Sequence, residues 1–188
     1  MTRSSPPPAT AGVPPVEVLD TLDADICAAA LAPLFEGAPR FLARLCAARP
    51  FGGEEQLFAR ARQIALAMPQ SEQHELLDAH PRLGAPPGSV SALSFREQGY
   101  DREAAGAAAE AERQTVQQEL DRLNAAYERR FGFRYCTFVA GRTRAALLPE
   151  FRQRLEGHPD DERRRGLEAV VDIARDRYQR SRRAQEGT

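Results

Sequence analysis

Among the 188 residues, one stretch has strand character, residues 133–139 (FRYCTFV), and a lone strand has no partner to complete its ladder. The remaining regular segments repeat their apolar residues at helical spacing. That combination restricts the chain to an all-α fold, expected as a single-domain bundle of about seven or eight helices.

The helices can be placed from punctuation and periodicity. Ile26, Ala29, Ala30 and Leu34 share one face, as do Phe41, Leu42, Leu45 and Cys46 behind a helix start at Pro39. Leu57, Phe58, Ala61, Ile64, Ala65 and Met68 form a further stripe, entered through Gly52 and Gly53 and stopped before Pro69. Ser71 is expected to cap a short helix carrying Leu76 and Leu77, which Pro81 ends close to Ala79. The run RLGAPPGSVSA over residues 82–92 is irregular. A long helix over about 101–130, with Val116, Leu120, Leu123 and Tyr127 as its stripe, precedes two more at about 143–156 and 161–182. Residues 1–15 are mostly Pro, Ala, Ser, Thr and Gly and are expected to be a disordered or extended arm ahead of a helical domain over 16–188.

Composition removes whole classes of function. Every one of the 26 basic residues is arginine, so chemistry that needs an amine is excluded: a Schiff base, a pyridoxal phosphate anchor, or the lysine of a P-loop. A net charge of −1 supplies no global field for nucleic acid or an anionic membrane. No apolar run approaches the roughly 18–20 residues of a membrane span, and the first residues lack the apolar core of a secretion signal. A cytoplasmic enzyme or binding module is expected. Cys27, Cys46 and Cys136 are odd in number and widely spaced, as suits buried reduced thiols.

Four places could carry chemistry. His80, in Asp78-Ala-His-Pro-Arg-Leu-Gly84, sits on a turn pinned by Pro81; an imidazole there serves acid–base work or caps the helix through its dipole. Ser94-Phe95-Arg96-Glu97-Gln98 has the spacing of a capping box, which is a structural explanation in itself, yet it closes the irregular segment that His80 opens. The backbone of Thr137-Phe138-Val139-Ala140-Gly141 is extended without a sheet partner, so its amides are available to a ligand. Arg177 lies at the edge of the stripe made by Leu167, Val170, Ala174 and Tyr178, either snorkelling outward or pointing into a cavity as a carboxylate fork. His74 is expected to be solvated and His158 to lie in a turn, and neither histidine pairs nor Cys/His clusters suggest a metal.

Taken in order, Asp78-Ala-His-Pro-Arg-Leu-Gly84, Ser94-x-x-Glu97-Gln98, Leu123-Asn-x-x-Tyr127-x-x-Arg130-Phe-Gly132, Gly141-Arg142 and Ile173-Ala-x-x-Arg177, with Ala48-Arg-Pro-Phe51 upstream, resemble the 2-oxo-4-hydroxy-4-carboxy-5-ureidoimidazoline (OHCU) decarboxylase family. The resemblance runs from about residue 16 to 180. It implies an all-helical fold, usually a homodimer, and decarboxylation of a small ureidoimidazoline to (S)-allantoin in urate degradation without metal or organic cofactor. It makes His80 the catalytic residue and gives catalytic roles to Glu97 and Arg177. Pro81 would line the site, Ser94, Phe95, Arg96, Glu97 and Gln98 would bind substrate at a helix N-terminus, and Thr137, Phe138, Val139, Ala140 and Gly141 would hold a carbonyl. Arg82, the short loop after His80, and Arg134-Tyr135 depart from the family's usual pattern. The chemistry suits a lysine-free inventory, since loss of CO2 leaves electrons that the ring itself can take up. The competing expectations are a non-enzymatic helical interaction module and another cofactor-free lyase or hydrolase of a ureido compound.

Overall fold

The structure, a computed structural model, describes residues 12–99 and 107–186. Most of the expected N-terminal arm and the first residues of the expected 101–130 helix lie outside the described residues. The described elements are α1 (Val16–Leu19), α2 (Ala24–Leu31), α3 (Pro39–Ala47), α4 (Glu54–Ala67), α5 (Gln70–Ala79), α6 (Ala92–Glu97), α7 (Ala107–Phe131), α8 (Arg144–Arg154) and α9 (Pro159–Glu186), with short 3-10 turns at Ala32–Leu34 and Pro87–Ser89. Among the described residues there is no strand, and the all-α expectation holds with one or two more helices than foreseen. They divide into two compact units, one running to Met68 and resuming at Val171, the other spanning Pro69–Val170.

In the first unit α2 packs on α3 and α3 on α4. The buried face of α2 is Cys27 and Leu31, one step round from the Ile26 and Ala30 face read from sequence. The helix stops at Leu31 and the chain tightens into the 3-10 turn through Pro33, so Leu34 does not extend the α-helical stripe. Cys27 and Cys46 meet with 3.0 Å between sulfurs, the Cys46 thiol donating. That bond lowers the Cys27 thiol below its ordinary range and, with burial, raises that of Cys46. Phe35 packs on Phe41 at 4.8 Å and Phe58 meets Tyr178 edge-on at 5.8 Å. Arg49 donates to the carbonyls of Cys46, Leu19 and Leu22, while Asp20 accepts from the amides of Phe51 and Gly52, so the loop before α4 is tied to the loop after α1. Packing begins at Val13, which is buried and donates its amide to the Ser181 hydroxyl at 3.0 Å.

In the second unit the stretch with strand character forms no ladder with another described residue, and its alternate rings, Phe133 and Tyr135, enter an aromatic cluster. Tyr127 is surrounded by Phe131, Phe133, Tyr135 and Phe151 at 4.4–5.9 Å, and Tyr135 stacks on Phe151 at 3.8 Å. Burying each such side chain contributes roughly 1.5–3 kcal/mol, which substitutes for the missing ladder. Gly132, at φ +80°, turns the chain out of α7 into this stretch. Helix α5 approaches α9 so closely that a Cβ on Gly166 would lie 2.8 Å from a Leu77 methyl.

Candidate functional site

His80 is the C-cap of α5, one residue past its last helical residue, Ala79. Proline at 81 disfavours helical backbone before it, and His80 is extended, with φ −74° and ψ 139°. The side chain is turned inward and 4% exposed. Its Nδ1 lies 3.2 Å from the carbonyl of Leu76. A carbonyl only accepts, so Nδ1 carries a proton, and in the neutral form of the ring the basic lone pair is on Nε2, which is also buried.

The loop that follows is held by side-chain amides. Gln98 accepts from the Gly84 amide at 2.7 Å and donates to the Arg82 carbonyl at 3.2 Å. Asn124 donates to the Leu83 carbonyl at 2.9 Å and Gln117 to that of Gly84 at 2.8 Å. The turn closes with the Ala85 amide donating to Arg82 at 3.0 Å, and Gly84 at its third position has φ +82°, which glycine adopts without strain. Arg82, a departure from the family pattern, makes a two-pronged pair with Glu128 at 2.6 Å for both bonds, and this holds its guanidinium above the ordinary range. Arg134, another departure, donates to the carbonyls of Asp78 at 2.6 Å and His80 at 3.0 Å. Both departures are therefore built into the support of the histidine turn.

The capping box is corrected. The N-cap of α6 is Ser91, whose hydroxyl accepts from the Ser94 amide at 3.2 Å. Ser94 is buried within the helix, Phe95, Arg96 and Glu97 follow it, and Gln98 is the C-cap, so these residues do not form a helix N-terminus. The serine three positions upstream offers the same hydroxyl and starts the helix earlier. Gln98 thus joins the His80 loop directly. Ser71 is likewise no cap: α5 begins at Gln70 after Pro69, with no side-chain cap bond. His74 is half-buried against Phe133 at 5.1 Å rather than solvated, and burial lowers its basicity. His158 lies exposed in a turn, as expected.

Residues 137–141 carry the second cluster. Arg142 donates to the carbonyls of Phe138 at 2.8 Å and Val139 at 3.1 Å, and is itself paired with Glu150 at 2.7 Å. No amide of Thr137, Phe138, Val139, Ala140 or Gly141 donates to another described residue. Ala140 and Gly141 are both left-handed, at φ +50° and +76°, in a turn closed from Arg142 to Val139. The Tyr135 hydroxyl is buried beside the Thr137 side chain, and the Asn124 side-chain oxygen is buried without a hydrogen-bond partner among the described residues. Burial pushes the Tyr135 hydroxyl's pKa up, so it remains a neutral donor at ordinary pH.

Arg177 belongs to the first unit. It is 3% exposed, so it does not snorkel; it donates to the Pro33 and Leu34 carbonyls at 3.0 and 3.3 Å and pairs with Glu36 at 2.8 Å. A groove of about 460 Å³ in the same unit, lined by Arg44, Arg60, Gln63, Ile64 and Met68, contains none of the expected site residues. Among the described residues no group of three or more His, Cys, Asp or Glu side chains is arranged to hold a metal, and no helix is long and apolar enough to cross a membrane.

The family model for OHCU decarboxylase matches residues 20–179. The chain belongs to the OHCU decarboxylase family. It is 31% identical over 144 residues to the 2-oxo-4-hydroxy-4-carboxy-5-ureidoimidazoline decarboxylase of Mus musculus, covering 75% of this chain and 78% of that protein. It is also 31% identical over 157 residues to the uric acid degradation bifunctional protein PucL of Bacillus subtilis, covering 84% of this chain and 30% of that one. The fold matches a crystal structure of OHCU decarboxylase in the presence of (S)-allantoin at a TM-score of 0.61 and 23% identity, covering 79% of this chain and 94% of the other.

Sequence reasoning did not find the loop-holding roles of Gln117, Asn124, Arg134 and Arg142, nor Glu36 at all. Asn124 and Arg142 left a trace within the family-like motifs and Arg134 as a departure from them, while Gln117 and Glu36 left none.

Proposed function

We propose that this OHCU decarboxylase converts 2-oxo-4-hydroxy-4-carboxy-5-ureidoimidazoline to (S)-allantoin in urate degradation, with His80 as its acid–base residue and no cofactor. The observation that carries the role of His80 is its buried, extended position at the end of α5, with Nδ1 held on Leu76. That bond leaves Nε2 as the nitrogen that exchanges protons. In this mechanism the C–CO2 bond breaks, its electron pair forms a ring double bond and displaces the ring's C=N pair onto nitrogen, which takes a proton from solvent, and the 4-hydroxyl proton then passes through Nε2 to one face of the neighbouring ring carbon as the 4-oxygen becomes a carbonyl. Amides from 137–141 and the buried Tyr135 and Asn124 side chains hold ring or ureido groups, and Arg177 holds an oxyanion. Glu97 accepts from substrate N–H groups. We assign the enzyme to the cytoplasm as a homodimer, which light scattering of the purified protein tests.

General acid–base catalysis contributes about 10²–10⁴-fold. His80→Asn should therefore lower kcat by at least that lower figure while the helical circular dichroism spectrum is unchanged. The substrate is generated in situ from urate and the product followed by its optical activity. Wild-type turnover in the variant removes His80 from the mechanism; a racemic product at the uncatalysed rate from the wild-type protein removes the activity.

A further inference from the structure

Resting on the proposed role of Arg177, we infer that Glu36 is the positioning residue that orients it. Arg177 is almost fully enclosed, and its two terminal nitrogens meet groups of one short segment: the carbonyls of Pro33 and Leu34 on one, and the carboxylate of Glu36 on the other. The two carbonyls come from the 3-10 turn at Ala32–Leu34, where backbone acceptors have no helical partner. They fix where the guanidinium sits. Glu36 fixes how it is rotated, because a single carboxylate oxygen 2.8 Å from one terminal nitrogen, set against two carbonyls on the other, defines the plane of the fork.

The backbone supports this assignment. Glu36 has φ +50°, a left-handed conformation that a residue with a side chain adopts only at an energetic cost, and Gly37 after it has φ +77°. A glycine would fill position 36 without that cost, so the strain is offset by what the carboxylate does. Strain of this kind gathers where a side chain must be held in one place. The Glu36 side chain is 13% exposed and faces a cation that is 2% exposed, so the pair is shielded from the solvent screening that makes surface ion pairs weak.

The test is a double-mutant cycle on kcat/KM, using the full chain and substrate generated from urate. Glu36→Gly deletes the carboxylate while relaxing the left-handed backbone, and Arg177→Ala deletes the guanidinium. Glu36→Gly is expected to lower kcat/KM about tenfold alone and to change it less than twofold in the Arg177→Ala background, since the proposed role of Glu36 runs through Arg177. Glu36→Gln, whose amide oxygen still accepts, should recover most of the loss, and it serves as the comparison if the glycine variant does not fold. Equal losses in both backgrounds, or no loss beside an impaired Arg177→Ala, overturn the positioning role of Glu36. Wild-type kinetics in Arg177→Ala instead overturn the functional reading of Arg177, and this inference with it.

Discussion

The two irregular segments of the second unit are held in opposite ways. The loop after His80 has its backbone groups taken up from several directions: Gln98, Asn124 and Gln117 bond to Arg82, Leu83 and Gly84. Residues 137–141 have two carbonyls taken up by Arg142, while their amides donate to no other described residue. In the proposed mechanism the first segment aims an imidazole and the second offers its donors to the substrate. The contrast in polar satisfaction within one unit is what supports giving the two segments these different roles.

Substitutions can break this contrast. The largest effect is expected from Asn124→Leu, similar in size but without the amide. The Leu83 carbonyl then loses a buried donor at a cost of about 1–3 kcal/mol. Each kcal/mol lowers the melting midpoint of a protein this size by roughly 2–4 °C. Calorimetry should show that fall together with a drop in kcat; an unchanged midpoint would mean the loop is held by other contacts. Gly84→Ala attacks the same loop sterically, because the new Cβ would lie 2.8 Å from a Leu120 methyl at a left-handed φ of +82°. About 1–2 kcal/mol is expected from the backbone alone.

Arg142→Ala should behave differently. Its bond to the Phe138 carbonyl is exposed and that to Val139 only part-buried, so the melting midpoint should move little, while KM rises several-fold as the 137–141 amides lose their fixed direction. An unchanged KM in a folded variant would show that these amides do not bind substrate. The smallest effect belongs to Glu119, which Arg122 and Arg152 hold at a pKa of about 2 against an ordinary 4.5. A carboxylate depressed on folding contributes stability above its unfolded pKa and loses it as pH falls through the folded one. That contribution should be complete above about pH 4.5 and vanish towards pH 2, and because the pairs lie at the surface, with arginines more than half exposed, it should stay within about 1 kcal/mol. Comparing acid unfolding of the wild type with Glu119→Gln checks it: the gap should close at the acid end.

How far the sequence could be read differs between elements for physical reasons. Gly53, Pro69 and Pro81 bound α4 and α5 where expected, because proline and glycine act on the backbone locally. The serines misled, since several hydroxyls within three residues offer equivalent caps and local chemistry does not choose between Ser91 and Ser94. His80 could be singled out as a histidine on a proline-fixed turn. Glu36 could not, because its left-handed backbone and its partner 141 positions along the chain are invisible to local pattern.

The sequence by itself determined the helical class, the ends of the helices at proline and glycine, the family, and the exclusion of amine chemistry by the absence of lysine. Each of these follows from residue type or from spacing along the chain. Only the tertiary structure decided that Gln98 grips the histidine loop, that Arg177 is turned inward onto Glu36, and that the strand-like stretch feeds an aromatic cluster. Those outcomes depend on which polar and aromatic groups meet across long sequence separations. Such meetings are set by the packing of whole helices and by the need to satisfy every buried donor and acceptor.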